Sequence, residues 1–177
     1  MSIEISLVPL SLVLISVAPL AITGTGMTKA GLAMSSSMVT VGTMICDKLK
    51  KLSGESSDKE MQEKDFETKF ADKNLLIKAL KSISLCPEVE DNFIICTTRD
   101  YALVFEYIQD KYYLKVITKG SFDNVLNKYG ELDVSYGKFV QTDTVKKIKE
   151  NVNNSPLMKL LSETVLDDNS VVLTINV

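Results

Sequence analysis

Residues 92–119 read NFIICTTRDYALVFEYIQDKYYLKVITK. This stretch divides into three runs rich in β-branched and aromatic residues, 92–98, 101–109 and 112–119, separated by the polar pairs Arg99-Asp100 and Asp110-Lys111. Gaps this short join antiparallel neighbours, because parallel strands need a crossover of a dozen residues or more. In the middle run Tyr101, Leu103, Phe105 and Tyr107 share one face, and Ala102, Val104, Glu106 and Ile108 the other, as the two-residue period of a strand requires. An antiparallel meander is the predicted centre of the fold.

Before the meander, residues 66–70 read as a short strand. Asp72 then caps a helix in which Leu75, Leu76, Ala79, Leu80 and Ile83 recur at helical spacing, and Pro87 ends that element. Past the meander, Ser121 caps a helix over 122–129 that Gly130 closes, and Val145, Ile148 and Val152 mark a further helix with Asp143 or Thr144 before it. The runs 157–166 and 171–177 form a hairpin around Asp167-Asp168-Asn169-Ser170. Interleaved in this way, the elements predict an α+β domain over residues 66–177, a two-layer antiparallel sheet with helices on one face.

The rest of the 177 residues differ in kind. Between Ile5 and Cys46 the only charged side chain is Lys29. A hydrophobic segment over 1–46, a charged linker over 47–65 and the α+β domain over 66–177 are therefore expected. Residues 5–22 carry Leu7, Leu10, Leu12, Val13, Leu14, Ile15, Val17, Leu20 and Ile22. As a helix they would span roughly 27 Å, close to a bilayer's hydrocarbon thickness. Glu4 and the missing basic flank argue against a cleaved signal peptide. Pro9, Pro19 and the β-branched residues between them also suit a buried strand. After a turn at Thr23-Gly24-Thr25-Gly26, Gly26 with Ala30 and Ala33 with Ser37 fall four apart, the spacing that lets membrane helices approach closely. The expectation is a helical hairpin. Lys48, Lys50 and Lys51 follow it as a basic cluster that the positive-inside rule sets on the cytoplasmic side, against anionic lipid. Three readings of the segment stand side by side: a membrane hairpin, a self-assembly element making a homo-oligomer, and a hairpin folded onto the domain itself. The linker, polar and charged from Lys51 to Asp65, reads as a solvated tether.

Composition narrows the chemistry. Arg99 is the sole arginine and the net charge is -3, so the clustered basic patch of a nucleic-acid partner is missing. Histidine is absent, and Cys46, Cys86 and Cys96 have no close-spaced pair, which points to buried reduced thiols and to no zinc site. Glu88, Glu90 and Asp91 make an acidic loop, and Asp167-Asp168-Asn169-Ser170 lacks the ligand spacing of a calcium loop. No catalytic residue, metal ligand or cofactor is assigned. If the domain has a partner surface, the sheet face with Tyr101 and Tyr107 is the expected place.

Leu75-Leu76-Ile77-Lys78-Ala79-Leu80, the Tyr-Leu-Lys-Val strand, the helix from Phe122 to Tyr129, Val145-Lys146-Lys147-Ile148 and Val171-Val172-Leu173-Thr174 together resemble a small uncharacterised domain family. That family occurs in algal chloroplast, cyanobacterial and other bacterial genomes and can accompany AAA-type ATPases. The resemblance covers residues 66–177 and implies an accessory role beside such an ATPase. Two function classes follow. One is a non-enzymatic accessory protein, held at a membrane with its C-terminal domain cytoplasmic, or self-assembled, that recruits a protein partner. The other is an accessory subunit of an AAA-type ATPase with the hydrophobic segment buried in the complex.

Overall fold

A computed structural model describes residues 2–7, 36–53 and 61–177. The chain is α+β with antiparallel sheets, and it divides into two units.

The unit built around the meander contains Val13–Lys69 and Pro87–Val125. Its sheet has the order β2-β6-β5-β4-β3, where β2 is Gln62–Glu67, β3 Pro87–Glu90, β4 Phe93–Thr97, β5 Tyr101–Ile108 and β6 Lys111–Thr118. The expected three central strands are all present. Gln109 and Asp110 both take positive φ in the two-residue turn before β6, the backbone that matches strand twist in a tight hairpin.

Helix α1, Ser36–Ser53, lies on this sheet. Met38, Ile45 and Leu49 pack with Phe93, Ile95, Ala102, Val104 and Ile117, each of the larger buried side chains contributing about 1.5–3 kcal/mol. Its opposite side carries Thr40, Thr43 and Asp47 in solvent. From residue 36 onward, then, the expected return leg of the hairpin is an amphipathic helix seated on the sheet, and the expected boundary at residue 46 falls inside it. No helix among the described residues is long and apolar enough to cross a membrane.

β2 falls mostly inside the expected linker, and 68–70 of the expected strand lie beyond its end. It has almost nothing to bury and is held by charge. Lys115 on β6, itself buried, pairs with both Glu63 and Asp65 at 3.1 Å, and Lys111 pairs with Glu67. Burial pulls the Lys115 pKa down, but hydrogen bonds to Asp65 and Glu63 outweigh it and the net shift is upward. A strand made by cross-strand ion pairs carries no hydropathy signal.

The other unit contains Met1–Leu12, Phe70–Cys86 and Leu126–Val177. Here β1 (Ser2–Leu7), β8 (Val171–Asn176) and β7 (Lys159–Val165) form a separate sheet in the order β1-β8-β7. The closing hairpin is present, but it joins the N-terminal strand and not the meander. Residues 5–7, expected to begin a helix, are extended instead. Ser-Ile-Glu-Ile-Ser-Leu alternates, and the register sets Ile3, Ile5 and Leu7 opposite Ile175, Leu173 and Val171. One face is thus apolar and the other carries Ser2, Glu4 and Ser6, the division a half-covered antiparallel sheet requires.

Helix α2, Lys73–Ser82, begins as expected, with the Leu75 amide donating to Asp72 Oδ1 at 2.9 Å. It ends in a Schellman motif: Leu85 N–H donates to Leu80 O, Ser84 N–H donates to Lys81 O, and Ser84 takes φ 63°. Helix α3 is one element, Phe122–Asn154, about 50 Å long, and its first residues belong to the meander's unit. Ser121 Oγ accepts the Asp123 amide at 3.1 Å, the cap expected there. Gly130 does not close the helix. A lone interior glycine costs only about 1 kcal/mol relative to alanine, and Val125, Leu132, Tyr136, Val145 and Val152 are buried on either side of it, so packing outweighs that cost.

Candidate association surface

The candidate site lies on the three-stranded sheet β1-β8-β7. On the face that carries Leu173 and Ile175, Gln141 of α3 donates from Nε2 to the carbonyl oxygens of Leu7 at 2.9 Å and Asn169 at 2.8 Å. One side chain thus ties the end of β1 to the β7–β8 turn. That turn has Asn169 at φ 62°, with Asn169 N–H donating to Leu166 O and Leu166 N–H to Ser170 O. This is the three-residue hairpin loop in which asparagine tolerates the left-handed position. Asp168 Oδ1 accepts the Ser170 amide at 2.8 Å, and this backbone hydrogen bond first of all holds its carboxyl below the usual range.

A groove of about 390 Å³ runs between α3 and β7, with Val145 and Val171 in its lining and Lys146, Lys149, Glu150 and Glu163 among its polar residues. Its charges are locally matched: Lys149 pairs with Glu163, and Lys146 with Glu150 at 3.7 Å. Such a groove offers water-exposed, neutralised ion pairs. Elsewhere on α3, burial and then the Asp133 carboxylate push the Tyr129 phenol up to about 12, so it stays protonated at neutral pH. Among the described residues no group of three or more Cys, Asp or Glu side chains is placed to hold a metal ion.

Beyond the groove lies β7, exposed along nearly its whole length. Leu157 is 82% exposed, Leu161 53%, Val165 63% and Leu166 45%. A β-bulge falls between Leu160 and Ser162, and among the described residues one long edge of the strand has no neighbour in the sheet order. Contiguous exposed apolar side chains on a strand edge mark an interaction site or an aggregation hazard.

The structure distributes the sequence-predicted residues differently. Leu7 is half-buried in β1, paired with Val171. Leu10, Leu12, Val13, Leu14, Ile15, Val17, Leu20, Ile22, Gly26, Ala30 and Ala33 lie outside the described residues. Ser37 is in the first turn of α1. Lys48, Lys50 and Lys51 stand on α1 and not in a linker: Lys48 pairs with Glu88 at 3.1 Å, and the other two occupy the last turn, where cations favour the helix dipole. Tyr101 and Tyr107 sit at the two ends of a row whose centre, Leu103 and Phe105, is fully buried. That face is core and offers no continuous surface, since β5 is buried from 102 to 106 on both sides. Tyr107 packs on Tyr112, with ring centroids 5.0 Å apart.

In the sequence, residues 157–166 read as half of a hairpin. The signal that they are also a surface was their apolar content on a strand with a single covered side, which becomes visible only when the sheet order is known. Comparison with protein-family models, with curated proteins and with solved structures finds no match to this chain.

Proposed function

We propose that this chain is a non-enzymatic accessory protein that works by association. Its charge-poor N-terminal stretch, centred on residues 10–22, tethers it to a membrane or seeds an assembly, and its folded part recruits a protein partner along the outer rim of the β1-β8-β7 sheet. The exposed apolar run of residues 157–166 is the observation that carries the reading. Support for the tether comes from Lys29 being the only charge between Ile5 and Cys46. Because α1 takes residues 36–46 onto the sheet, the tether narrows to the residues before it.

Vesicle flotation tests this directly. The full chain is expected to float with anionic liposomes or to sediment as an oligomer, and a variant with Leu12, Leu14 and Ile15 changed to aspartate to lose that property. A wild-type chain that stays soluble and monomeric, without detergent and in the presence of lipid, sinks the tether in both forms.

A further inference from the structure

We propose that β7 pairs antiparallel with β7 of a second copy, joining two three-stranded sheets across a two-fold axis. This rests on the association reading above and deepens it by naming the partner.

The edges of the two sheets are treated differently. β2 carries Glu63, Lys64, Asp65 and Glu67, and β3 is four residues long with Pro87, Glu88 and Glu90. Charge, proline and shortness are the devices that keep an edge from pairing. β1 alternates with Ser2, Glu4 and Ser6. β7 is instead Lys-Leu-Leu-Ser-Glu-Thr-Val, with further apolar side chains at Leu157, Met158 and Leu166 on its flanks.

Its backbone is oriented for addition. Leu166 N–H donates inward, to Ser170 O at 2.9 Å. In an antiparallel ladder inward and outward groups alternate, so the amides and carbonyls of Val165 and Glu163 point to the open side. The bulge at Leu161 confines a regular new ladder to the half of the strand after it and leaves Leu161 and Leu157 to flank the junction.

Charge specifies the occupant. Lys159 stands at the start of β7, and Asp167 and Asp168 stand just past its end. Antiparallel pairing of two copies brings each Lys159 to the other copy's carboxylates, whereas parallel pairing would set like charges together. An isologous contact of this kind closes at two copies. Because only one short strand edge is involved, the contact belongs to the small, weak class, with half-association expected at about 10–100 µM.

Sedimentation velocity of the full chain in mild detergent is the test. Wild type is expected to shift from monomer to dimer with concentration. Val165→Pro, which removes an outward amide without touching the β8 ladder, and Lys159→Glu, which sets acid against acid, are each expected to weaken the dimer tenfold or more. Lys159→Glu with Asp167→Lys is expected to restore it. Near-UV circular dichroism reports whether each variant is folded, and if Val165→Pro is not, the charge-reversal pair decides. A wild type that remains monomeric over this range overturns the proposal, as does a dimer indifferent to Lys159→Glu. A dimer that survives these changes but is lost when Leu12, Leu14 and Ile15 become aspartate overturns it while leaving the association reading standing.

Discussion

The hydroxyl of Tyr136 on α3 accepts the backbone amide of Asp72, the residue that caps α2, at 3.0 Å, and the neighbouring Ala71 amide at the same distance. These two donors precede α2 and have no partner within it. Tyr136 itself is buried, and its ring packs on Phe70 with centroids 4.7 Å apart. Tyr136→Phe keeps the ring contact and orphans both amides, so it should lower stability by about 1–3 kcal/mol. Urea unfolding followed by circular dichroism gives the number, and a change within error would show that water replaces the hydroxyl.

Ser84 occupies the left-handed position of the α2 Schellman motif, where a side chain is strained and glycine is the usual residue. Ser84→Gly is expected to stabilise the fold by about 1 kcal/mol, seen as a raised urea midpoint with an unchanged slope.

Gly130 presents the converse case. It lies inside α3, and a Cβ added there would meet no heavy atom within 4 Å. Gly130→Ala should gain about 0.5–1 kcal/mol. A thermal melt that moves downward would contradict the continuity of the helix at this point.

Leu49 is fully buried where α1 meets the sheet, and Lys119 Nζ donates to its carbonyl oxygen. Truncation to alanine should cost about 2–4 kcal/mol and speed amide exchange across Ser36–Ser53 before the meander strands. Unchanged exchange in α1 would mean that the helix is not held by this contact.

The three thiols should separate by accessibility and charge. Cys86 is exposed, Cys96 buried, and Cys46 intermediate, with its Sγ donating to Glu63 Oε1 at 3.5 Å. Burial, and next the Glu63 hydrogen bond, raise the Cys46 pKa. A raised thiol pKa means less thiolate at any given pH, so alkylation of Cys46 should accelerate only at higher pH than an ordinary thiol. Glu63→Gln removes the negative charge and should shift that acceleration to lower pH. The labelling order Cys86, Cys46, Cys96 can be followed by mass spectrometry.

Much of the meander was legible from residues 92–119, because β4, β5 and β6 pair through short turns and all three are apolar enough to be core. The Asp72 and Ser121 caps were legible for a similar local reason: a side-chain oxygen answers an amide two or three residues away. What was misread depended on partners distant in sequence. β2 looks like linker because its stabilising contact is Lys115, some fifty residues on. α1 looks like the end of a hydrophobic segment because its apolar residues are spaced for the sheet beneath it. β1 carried a clean two-residue alternation, but the longer apolar run after it drew residues 5–7 into a helix. The face of Tyr101 and Tyr107 was expected to be a surface because alternation separates two faces without saying that both are covered. The outer rim at β7 emerged only from the strand order.

Pairing β1 with β8 couples positions about 170 residues apart, Ser2 with Asn176 among them. At 5–20 residues per second, synthesis makes β1 roughly 10–30 s before its partner strand emerges. Throughout that interval the alternating segment and the apolar residues that follow it are released without the strand that will receive them. The small sheet therefore cannot form before Val171–Asn176 has been made, and removal of that strand would leave both β1 and β7 without their partner.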